Sequence, residues 1–491
     1  MRFQVFKNGK VLDKFPLYGA YVFGTDGIAV RQAEVEFKNG FIECRRHNLT
    51  TVGLALLWPV DGFGKVLLPT TCLPDRDRPY NLNVEMARGK LTEVIKKCED
   101  WAFFDGVAGL QDISRQAQDL FIKAMQNIFN PPVAAKLADE SLKRAMVLGE
   151  KLAITQAESS FQARGTNRGF GRGCLGCQIE PEQINNRVYL EAFLTLFGCA
   201  AIPLNWGRIE FRRGIYDFSK TDRCLEVLAK KKLTIAAGPL LCFSPQHLPK
   251  WLIESNADFE MIRETAYQFV FTIVSRYSRI VRTWRVVNGL NALNHFGFNF
   301  EQIMEMTRAA NMATKAASDG VQKIIEVANP WGEYYATVGN TIPPLVYMDM
   351  TVQSGIAFDG FGVRMRFGKN QAGMHIRDIM QISAMLDFFA AVAKPLHITE
   401  VEVPSQRAAG PHSGSAAGIW HEQWDEAKQA QWIEQFYKVA FSKPFVETVT
   451  YANFADTKHG AVANSSLLKE GFEPKQAFRV FKKLHKAIFA R

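Results

Sequence analysis

The sequence predicts an α/β protein in which a (β/α)8 TIM barrel follows an N-terminal antiparallel β-sandwich domain. From about residue 150 onward, short apolar runs alternate with amphipathic stretches, as expected for parallel strands separated by helices. The first 110 residues instead contain short runs rich in Val, Phe and Ile, broken by Gly, Asn and Asp, which is typical of antiparallel sheets. A doubly wound sheet is the alternative, but it would need fewer strands and a glycine-rich phosphate turn that the sequence lacks.

Two Asn-Gly pairs predict hairpins in the first domain. The tetrapeptide FKNG occurs at residues 6–9 and again at 37–40, each time between strand-like runs. Asn-Gly readily adopts the left-handed conformations of a two-residue hairpin turn. We therefore expect a β-sandwich over residues 1–110. Residues 111–149 have helical spacing with a Pro-Pro break, so we expect a helical connector there and the barrel over residues 150–491.

Eight apolar runs are the strand candidates of the barrel. They are residues 152–159, 199–206, 233–241, 283–289, 323–330, 358–364, 396–403 and 447–454. In a barrel of this class the functional groups lie at the mouth, where the strands end and the loops begin. That rule alone selects Glu158, Trp206, Phe243, Asn288, Gly289, Asn329, Trp331, Arg364, Arg366, Glu400 and Asn453.

Composition excludes several classes of protein. The chain has 491 residues, of which 47% are hydrophobic and 22% charged, so it can bury a large core. No apolar run reaches the roughly 18 residues of a membrane-spanning helix, and the first residues lack the apolar core of a signal peptide. We therefore expect a cytoplasmic protein with no membrane partner. The net charge of +10 is dispersed without a Lys/Arg block, so we expect no nucleic-acid partner.

The cysteines point to a reducing compartment. Eight are scattered along the chain, mostly in apolar segments. Only Cys174 and Cys177 have ligand-like spacing, and one CxxC without a second pair is a weak zinc signal. We interpret them as two thiols in a glycine-rich loop and predict neither a metal nor a cofactor.

The order of several motifs resembles family 10 glycoside hydrolases, the retaining, xylanase-type enzymes of clan A. PLNWGRIEFRRGIYDF resembles the family's second strand and loop, HLPKWL the Leu-Pro-x-Trp after the third strand, and WRVVNG the Val-Val-Asn-Glu of the fourth. FDGFG is similar to the sixth strand, HITEVEV to the nucleophile strand, and SSLLKEGFEPKQAF to the closing segment. The resemblance spans residues 140–491 and implies a carbohydrate-active barrel with a polysaccharide or oligosaccharide ligand. Residues 1–110 are similar to a carbohydrate-binding module in position and strand type only.

The resemblance also implies roles at the reaction site. Retaining hydrolysis needs two carboxyl groups about 5–5.5 Å apart. Glu400 matches the nucleophile, and Asn288 matches the Asn that precedes the acid/base residue. Gly289 falls on the acid/base position itself. A general acid contributes about 10²–10⁴-fold to the rate, so we expect hydrolysis to be lost or strongly reduced.

Further positions depart from the family pattern. The family's third-strand His, Trp and His are replaced by Pro239, Phe243 and Ser244, and its eighth-strand Trp by Ala452. A second-strand Lys is replaced by Asn205, and the sixth-strand Gln and His by Arg364 and Arg366. The residues that we expect to contact a ligand are Trp206, Asn205, Arg364, Arg366, Trp331, Glu158 and His295.

Several hypotheses about function follow. In the first, the barrel is a pseudoenzyme that binds glycans or serves as a structural or assembly subunit. In the second, it is an active retaining β-glycosidase of the endo-β-1,4-xylanase type, with Glu158 or His295 supplying the acid. A homo-oligomer is compatible with each. Trp420 and Trp424, in the loop after the nucleophile strand, are interpreted as loop anchors or sugar-stacking groups, as is His421 between them.

The arginines give a third hypothesis. Arg364 and Arg366, joined by Arg164, Arg168 and Arg172, would form an anion site for an acidic saccharide, because guanidinium groups bind carboxylate, sulfate and phosphate through two N–H groups. The alternative is that these arginines pair with acidic residues around the mouth, Glu400 included. In that case Glu400 is held in an ion pair and attacks nothing.

Overall fold

The computed structural model describes residues 1–46, 50–101, 109–407, 416–457, 462 and 464–489. The strands are β1 (Arg2–Gln4), β2 (Phe6–Lys7), β3 (Lys10–Val11), β4 (Tyr21–Phe23), β5 (Glu34–Lys38), β6 (Phe41–Arg45), β7 (Gly53–Val60), β8 (Gly64–Pro69), β9 (Tyr80–Asn81), β10 (Leu175–Gln178), β11 (Cys199–Pro203), β12 (Thr234–Gly238), β13 (Leu241–Cys242), β14 (Thr283–Asn288), β15 (Gln322–Val327), β16 (Gly360–Arg366), β17 (Leu396–Glu402), β18 (Ile419–Trp420) and β19 (Val446–Tyr451).

The α-helices are α1 (Leu82–Trp101), α2 (Leu110–Gln126), α3 (Pro131–Asn167), α4 (Arg187–Leu196), α5 (Trp206–Ile209), α6 (Ser219–Ala229), α7 (Lys250–Ile253), α8 (Phe259–Tyr277), α9 (Phe300–Ala317), α10 (Pro344–Gln353), α11 (Ile379–Phe389), α12 (Glu426–Ser442) and α13 (Gln476–Phe489). Single 3-10 turns lie at Pro181–Gln183, Glu333–Ala336 and Ala390–Val392. Among the described residues, no helix is both long enough and apolar enough to cross a membrane.

The predicted TIM barrel is confirmed. Eight parallel strands pair in the order β10, β11, β12, β14, β15, β16, β17 and β19, and β19 pairs back onto β10 to close the ring. The short strand β13 adds to β14 in parallel. Seven of the predicted runs overlap these strands, because apolar residues on both faces of each strand are buried between the barrel interior and the surrounding helices.

The first predicted strand is wrong. Residues 152–159 lie inside α3, whose buried residues Leu142, Ala145, Leu148 and Leu152 recur three or four positions apart, the helical period. The first barrel strand is instead β10, in the segment interpreted as a glycine-rich loop. Its Leu175, Gly176 and Cys177 are all buried, since the strand lies between β11 and β19.

Short polar side chains begin the helices that follow the barrel strands. Asp258 and Asp425 accept hydrogen bonds from backbone N–H groups in the first turns of α8 and α12. Asn299 and Asp378 do the same for α9 and α11, each in a capping box completed by a glutamine. Such caps satisfy N–H groups that have no partner within the helix, and they therefore fix where each loop ends.

The described N-terminal strands form two four-stranded sheets, with strand orders β5-β6-β1-β9 and β18-β8-β7-β4, and a two-stranded sheet of β2 and β3. Both FKNG hairpins are confirmed: β2 pairs with β3 and β5 with β6, and the Asn-Gly residues between them have positive φ. The pairing is antiparallel except between β1 and β9. β18 lies in the barrel part of the sequence, in the loop that follows β17, and this loop therefore completes the second sheet.

The N-terminal sheets and the barrel share one continuous core. The Leu67 backbone N–H donates to the Ile376 carbonyl at 2.9 Å, and the buried Lys90 ammonium pairs with Asp378 at 2.7 Å. Helix α3 packs against α1 and α2 on one side and against α11 and α12 of the barrel on the other. The first domain is therefore fixed against the helices and loops that follow β16 and β17.

Candidate functional site

Alternate residues of two adjacent strands bring four charges to the barrel interior. Arg364 and Arg366 of β16 lie opposite Glu400 and Glu402 of β17 in the strand register. Residues two positions apart on a strand face the same side. Arg364 also reaches Asn288 on β14, beyond the intervening strand β15, so these side chains lie inside the barrel, towards its mouth.

Arg364 holds the carboxylate of Glu400. Its Nε and Nη2 lie 2.9 and 2.8 Å from Oε2 of Glu400. The guanidinium groups of Arg366 and Arg285 lie 3.7 and 3.9 Å from the same carboxylate. Burial alone would raise the pKa of Glu400, but Arg364 and then the other two arginines outweigh it and lower the pKa to about 2. Glu400 is therefore ionised and already bound within the chain.

Glu402 is the centre of a second cluster that the sequence analysis missed. Its side chain is fully buried. It accepts hydrogen bonds from Arg366 at 2.8 Å, from the Asn453 amide at 2.6 Å and from the Ser465 hydroxyl at 2.7 Å. The sequence could have predicted this role for Glu402. In HITEVEV the second glutamate stands two residues after Glu400 and therefore on the same face of the strand.

Asn288 connects the Glu400 pair to a third buried glutamate. Its amide nitrogen donates to Glu326 at 2.9 Å, and its amide oxygen accepts from Arg364 at 3.2 Å. Glu326 also lies 3.6 Å from Arg285. The network thus contains three arginines and three glutamates, and their formal charges cancel. Of the two alternatives for Arg364 and Arg366, the structure has them paired with acidic residues of the mouth.

Gly289 occupies a position with no room for a side chain. Its φ is +63°, and a Cβ atom added there would lie 2.5 Å from the Cβ of Ala328. Its N–H donates to the Glu326 carbonyl at 2.8 Å, and its own carbonyl accepts from the N–H groups of Ala292 and Leu293. The backbone therefore turns sharply where the resemblance expects an acid, and any larger residue would have to displace its neighbours.

Two of the residues expected to contact a ligand are engaged elsewhere. Trp206 is 1% exposed; its ring stacks on Phe269, and its Nε1 donates to Glu210 at 2.7 Å. The prediction that it faces a ligand is wrong, because β11 ends at Pro203 and α5 begins at Trp206. Asn205 caps α5 and donates to the Gln246 carbonyl at 3.0 Å.

Trp331 lies in the loop after β15 and is only partly exposed. The guanidinium of Arg377 lies 4.4 Å from the centre of one of its rings, and Arg377 is paired with Glu333. This face of the indole is therefore covered by an arginine of the chain itself.

The two residues proposed as a substitute acid are not placed for that role. Glu158 lies in α3, 48% exposed and paired with Lys438 of α12 at 2.9 Å; because the run that contains it is helical, it is not at a strand end. His295 is exposed, and its ring meets Phe296 edge-on at 5.2 Å. Neither has a described contact with the Glu400 network.

The predicted anion site that joins five arginines is also wrong. Arg164 donates to the carbonyls of Phe441, Lys443 and Val446, and Val446 is the first residue of β19. Arg168 pairs weakly with Glu447 at 3.8 Å, and Arg172 precedes β10. These three arginines lie at the end of the barrel where strands begin, opposite the mouth.

Trp420 and Trp424 anchor the loop after β17. They are 2% and 5% exposed and stack on one another. The N–H of His421 donates to the Phe63 carbonyl at 3.0 Å, and its ring lies 3.1 Å from Glu150. This loop is thereby fastened to the N-terminal sheet and to α3.

Ser244 and His247 form a polar pair beside the network that the sequence analysis missed. Ser244 Oγ lies 2.8 Å from Nδ1 of His247 and 3.5 Å from the sulfur of Cys242. Cys242 lies opposite Asn288 in the strand register. Burial and then the charge of Arg364 lower the pKa of His247, so its imidazole is neutral near pH 7. Ser244 and His247 are both partly exposed.

Comparison with known proteins identifies the barrel. The model of the family "Glycosyl hydrolase family 10" matches residues 172–484, a span that begins just before β10. Endo-1,4-beta-xylanase B of Thermotoga neapolitana is 22% identical over 290 residues, which are 57% of this chain and 78% of that protein. An endo-1,4-beta-xylanase/feruloyl esterase of Xylanibacter ruminicola is 20% identical over 304 residues, 57% of this chain and 41% of that protein.

Solved structures give the same fold. Xylanase 10B of Thermotoga petrophila RKU-1, in complex with xylobiose, has a TM-score of 0.51 at 17% identity, covering 64% of this chain and 93% of that one. Native xylanase 10B of Thermotoga maritima has a TM-score of 0.51 at 17% identity, covering 69% and 99%. The family match covers more than half of the chain and includes every strand of the barrel. The chain therefore belongs to glycosyl hydrolase family 10.

Proposed function

We propose that this family 10 barrel binds an oligosaccharide at its mouth without hydrolysing it. The observation that carries the proposal is the Arg364–Glu400 pair. A retaining nucleophile must bring a carboxylate oxygen to the anomeric carbon, whereas Oε2 of Glu400 already has two guanidinium nitrogens within 2.9 Å. Two charge-assisted hydrogen bonds to one oxygen draw electron density from the carboxylate, which disfavours its attack as a nucleophile.

The missing acid supports the same conclusion. Position 289 has neither a carboxyl group nor space for one, and general acid catalysis typically contributes about 10²–10⁴-fold. The two obstacles act on the two sides of the same displacement, one on attack by the nucleophile and one on departure of the leaving group. Together they favour a barrel whose mouth has lost hydrolysis.

A neutral saccharide fits the mouth better than an acidic one. The three arginines of the network are balanced by three glutamates, so no surplus positive charge is available for a carboxylate or sulfate. Arg364, Arg366, Ser244 and His247 keep part of their surface exposed and can bind sugar hydroxyls. The xylobiose complex of the Thermotoga petrophila xylanase makes xylo-oligosaccharides the first ligands to test.

The test is thermal unfolding and hydrogen-exchange mass spectrometry of the full chain with xylotetraose, and with a glucuronic acid-substituted xylo-oligosaccharide as the acidic comparison. We expect xylotetraose to raise the melting temperature, to protect the ends of β16 and β17, and to remain uncleaved on chromatography. Arg366→Met should weaken the shift, while Arg276→Met, at a surface pair with Asp222, should not. No shift at millimolar xylotetraose, or cleavage of the sugar, would overturn the proposal.

A slow retaining glycosidase is the second candidate. It is favoured by the pKa of Glu400, lowered to about 2 by the arginines despite its burial, because a nucleophilic carboxylate must be ionised. This candidate requires Glu400 to attack through Oε1, which lies 3.9 Å from Arg285, while Oε2 stays paired with Arg364. An experiment with activated glycosides distinguishes the two candidate functions. A slow glycosidase would form a covalent intermediate on Glu400, whereas a binding protein would not.

A further inference from the structure

The pair formed by Ser244 and His247 has the geometry of a nucleophile and its base. Ser244 Oγ lies 2.8 Å from His247 Nδ1, within the range that proton transfer requires. The His247 N–H donates to the Ser244 carbonyl at 2.9 Å, so a tight turn holds the two side chains together. Both keep part of their surface exposed at the mouth, where a substrate can reach them.

The surroundings suit a serine nucleophile. A histidine that acts as a base must be neutral before the reaction. Burial and then the charges of Arg364 and Arg208 lower the pKa of His247, while Glu400 raises it. Arg364 also acts on Cys242, whose sulfur lies 3.5 Å from Ser244 Oγ. The serine hydroxyl thus lies between the imidazole of His247 and the thiol of Cys242.

We propose that Ser244 and His247 form a nucleophile–base pair that hydrolyses acyl esters of small alcohols at the barrel mouth. The proposal does not require that the mouth bind a saccharide, and a sugar bound at Ser244 and His247 would compete with the ester. It requires the tautomer of His247 that carries its proton on Nε2, so that Nδ1 accepts from the serine hydroxyl.

The reaction balances with water as the only co-reactant. Ser244 Oγ bonds to the carbonyl carbon while its proton passes to His247 Nδ1, and the C=O electrons move onto the carbonyl oxygen. Collapse of this intermediate breaks the ester C–O bond, and the alcohol leaves with the proton from His247. Water then attacks the acyl-serine, His247 again takes the proton, and the carboxylic acid leaves as Ser244 regains its hydrogen.

The test is reaction of the full chain with a fluorophosphonate, which phosphonylates activated serines with loss of fluoride. Peptide mass spectrometry should place the label on Ser244, and Ser244→Ala should abolish it. His247→Gln should slow labelling about 10²-fold or more, as expected for loss of a general base. The same variants should lose hydrolysis of 4-nitrophenyl acetate above the background reaction.

A matched control lies in the same barrel. His397 Nδ1 and Thr448 Oγ1 are 2.9 Å apart, but His397 is 4% exposed and lies near the start of β17. Thr448→Val should therefore leave labelling unchanged. The proposal is overturned if Ser244 of the unmodified chain stays unlabelled under conditions that label a known serine esterase, or if His247→Gln reacts at the original rate. Mapping the label on the unmodified chain decides the question even if a variant fails to fold.

Discussion

Arg364 and Glu400 stand directly opposite one another on β16 and β17, and two nitrogens of the guanidinium lie within 2.9 Å of one oxygen of the carboxylate. The position that matches the family's nucleophile is therefore the acidic half of an ion pair. Because the same arginine also donates to Asn288, the pair is connected through that amide to Glu326. A substitution at any of these residues should therefore alter the ion pairs and hydrogen bonds of the others.

Arg364→Met should destabilise the fold strongly. Glu400 would keep only the more distant Arg366 and Arg285, and loss of one partner from a buried pair leaves a poorly compensated charge. We expect the free energy of unfolding in urea to fall by about 2–4 kcal/mol, near the range for broken buried pairs. The double variant Arg364→Met/Glu400→Leu should recover most of that loss. The surface control Arg276→Met should lower the free energy of unfolding by about 1 kcal/mol or less. If Arg364→Met and Arg276→Met lowered it equally, the Arg364–Glu400 pair would not be part of a buried network.

Glu400 should make the protein sensitive to acid. Its pKa in the folded state is lowered to about 2 by the arginines against the effect of burial, while an unfolded glutamate titrates near about 4.3. Its contribution is therefore present above about pH 4.3 and is lost as the pH falls towards 2, amounting to about 3 kcal/mol at about 1.4 kcal/mol per pKa unit. Unfolding measured at pH 6, 4 and 3 should show a smaller loss in Glu400→Gln than in the unmodified chain. Parallel curves would mean that Glu400 is not held as an ion pair.

Glu180 should have the opposite pH dependence. It lies just after β10 and accepts hydrogen bonds from the Tyr189 hydroxyl and from the Phe454 N–H, yet burial raises its pKa to about 7. A raised pKa means that its contribution to stability is present below about pH 4.3 and is lost as the pH rises through about 7. Glu180→Gln should therefore gain stability relative to the unmodified chain between pH 5 and 8. Glu182→Gln, at an exposed carboxylate two residues away, is the control and should show no such gain; an equal response would refute the assignment.

Gly289→Glu should not restore hydrolysis. The added Cβ would meet Ala328 at 2.5 Å, and φ is +63°, so the variant combines a clash with a left-handed backbone. Overpacking costs about 1–3 kcal/mol and the left-handed conformation about 1–2 kcal/mol. We expect a lower melting temperature and no activity on xylan. Gly62→Ala has a similar φ of +77° in open space and isolates the backbone part. A folded, xylan-cleaving Gly289→Glu would show that the glycine is a simple lesion.

The periodic features were predictable from sequence because they follow local rules. Asn-Gly pairs at 8–9 and 39–40 form the hairpins, and the alternating apolar runs form the barrel. The run at 152–159 failed because Leu, Ala and Ile at those positions satisfy both a strand and a helix; what decides between them is the uninterrupted helical pattern after the Pro-Pro pair. The prediction that Trp206 faces a ligand was wrong because its strand ends three residues earlier than expected.

The site itself was only half predictable. Glu400, Arg364 and Arg366 stood out by their motif positions, but their pairing depends on the register of β16 against β17, which no local pattern specifies. Arg285 and Glu326 are single charges inside apolar strands, a signal that marks a buried polar group without naming its partner. Whether a side chain fits at position 289 depends on Ala328, which follows β15. Because these two residues are far apart in sequence, only the structure shows that the space is missing.

Glu400 is paired with Arg364, and we infer that it does not act as a nucleophile. The most direct test is rapid mixing of the full chain with 2,4-dinitrophenyl β-xylobioside, whose leaving group needs no acid, followed by mass spectrometry with the 2-fluoro analogue. We expect no burst of dinitrophenolate and no glycosyl group on Glu400. A burst equal to the protein concentration, with a 2-fluoroxylobiosyl ester on Glu400 that is absent in Glu400→Gln, would contradict it.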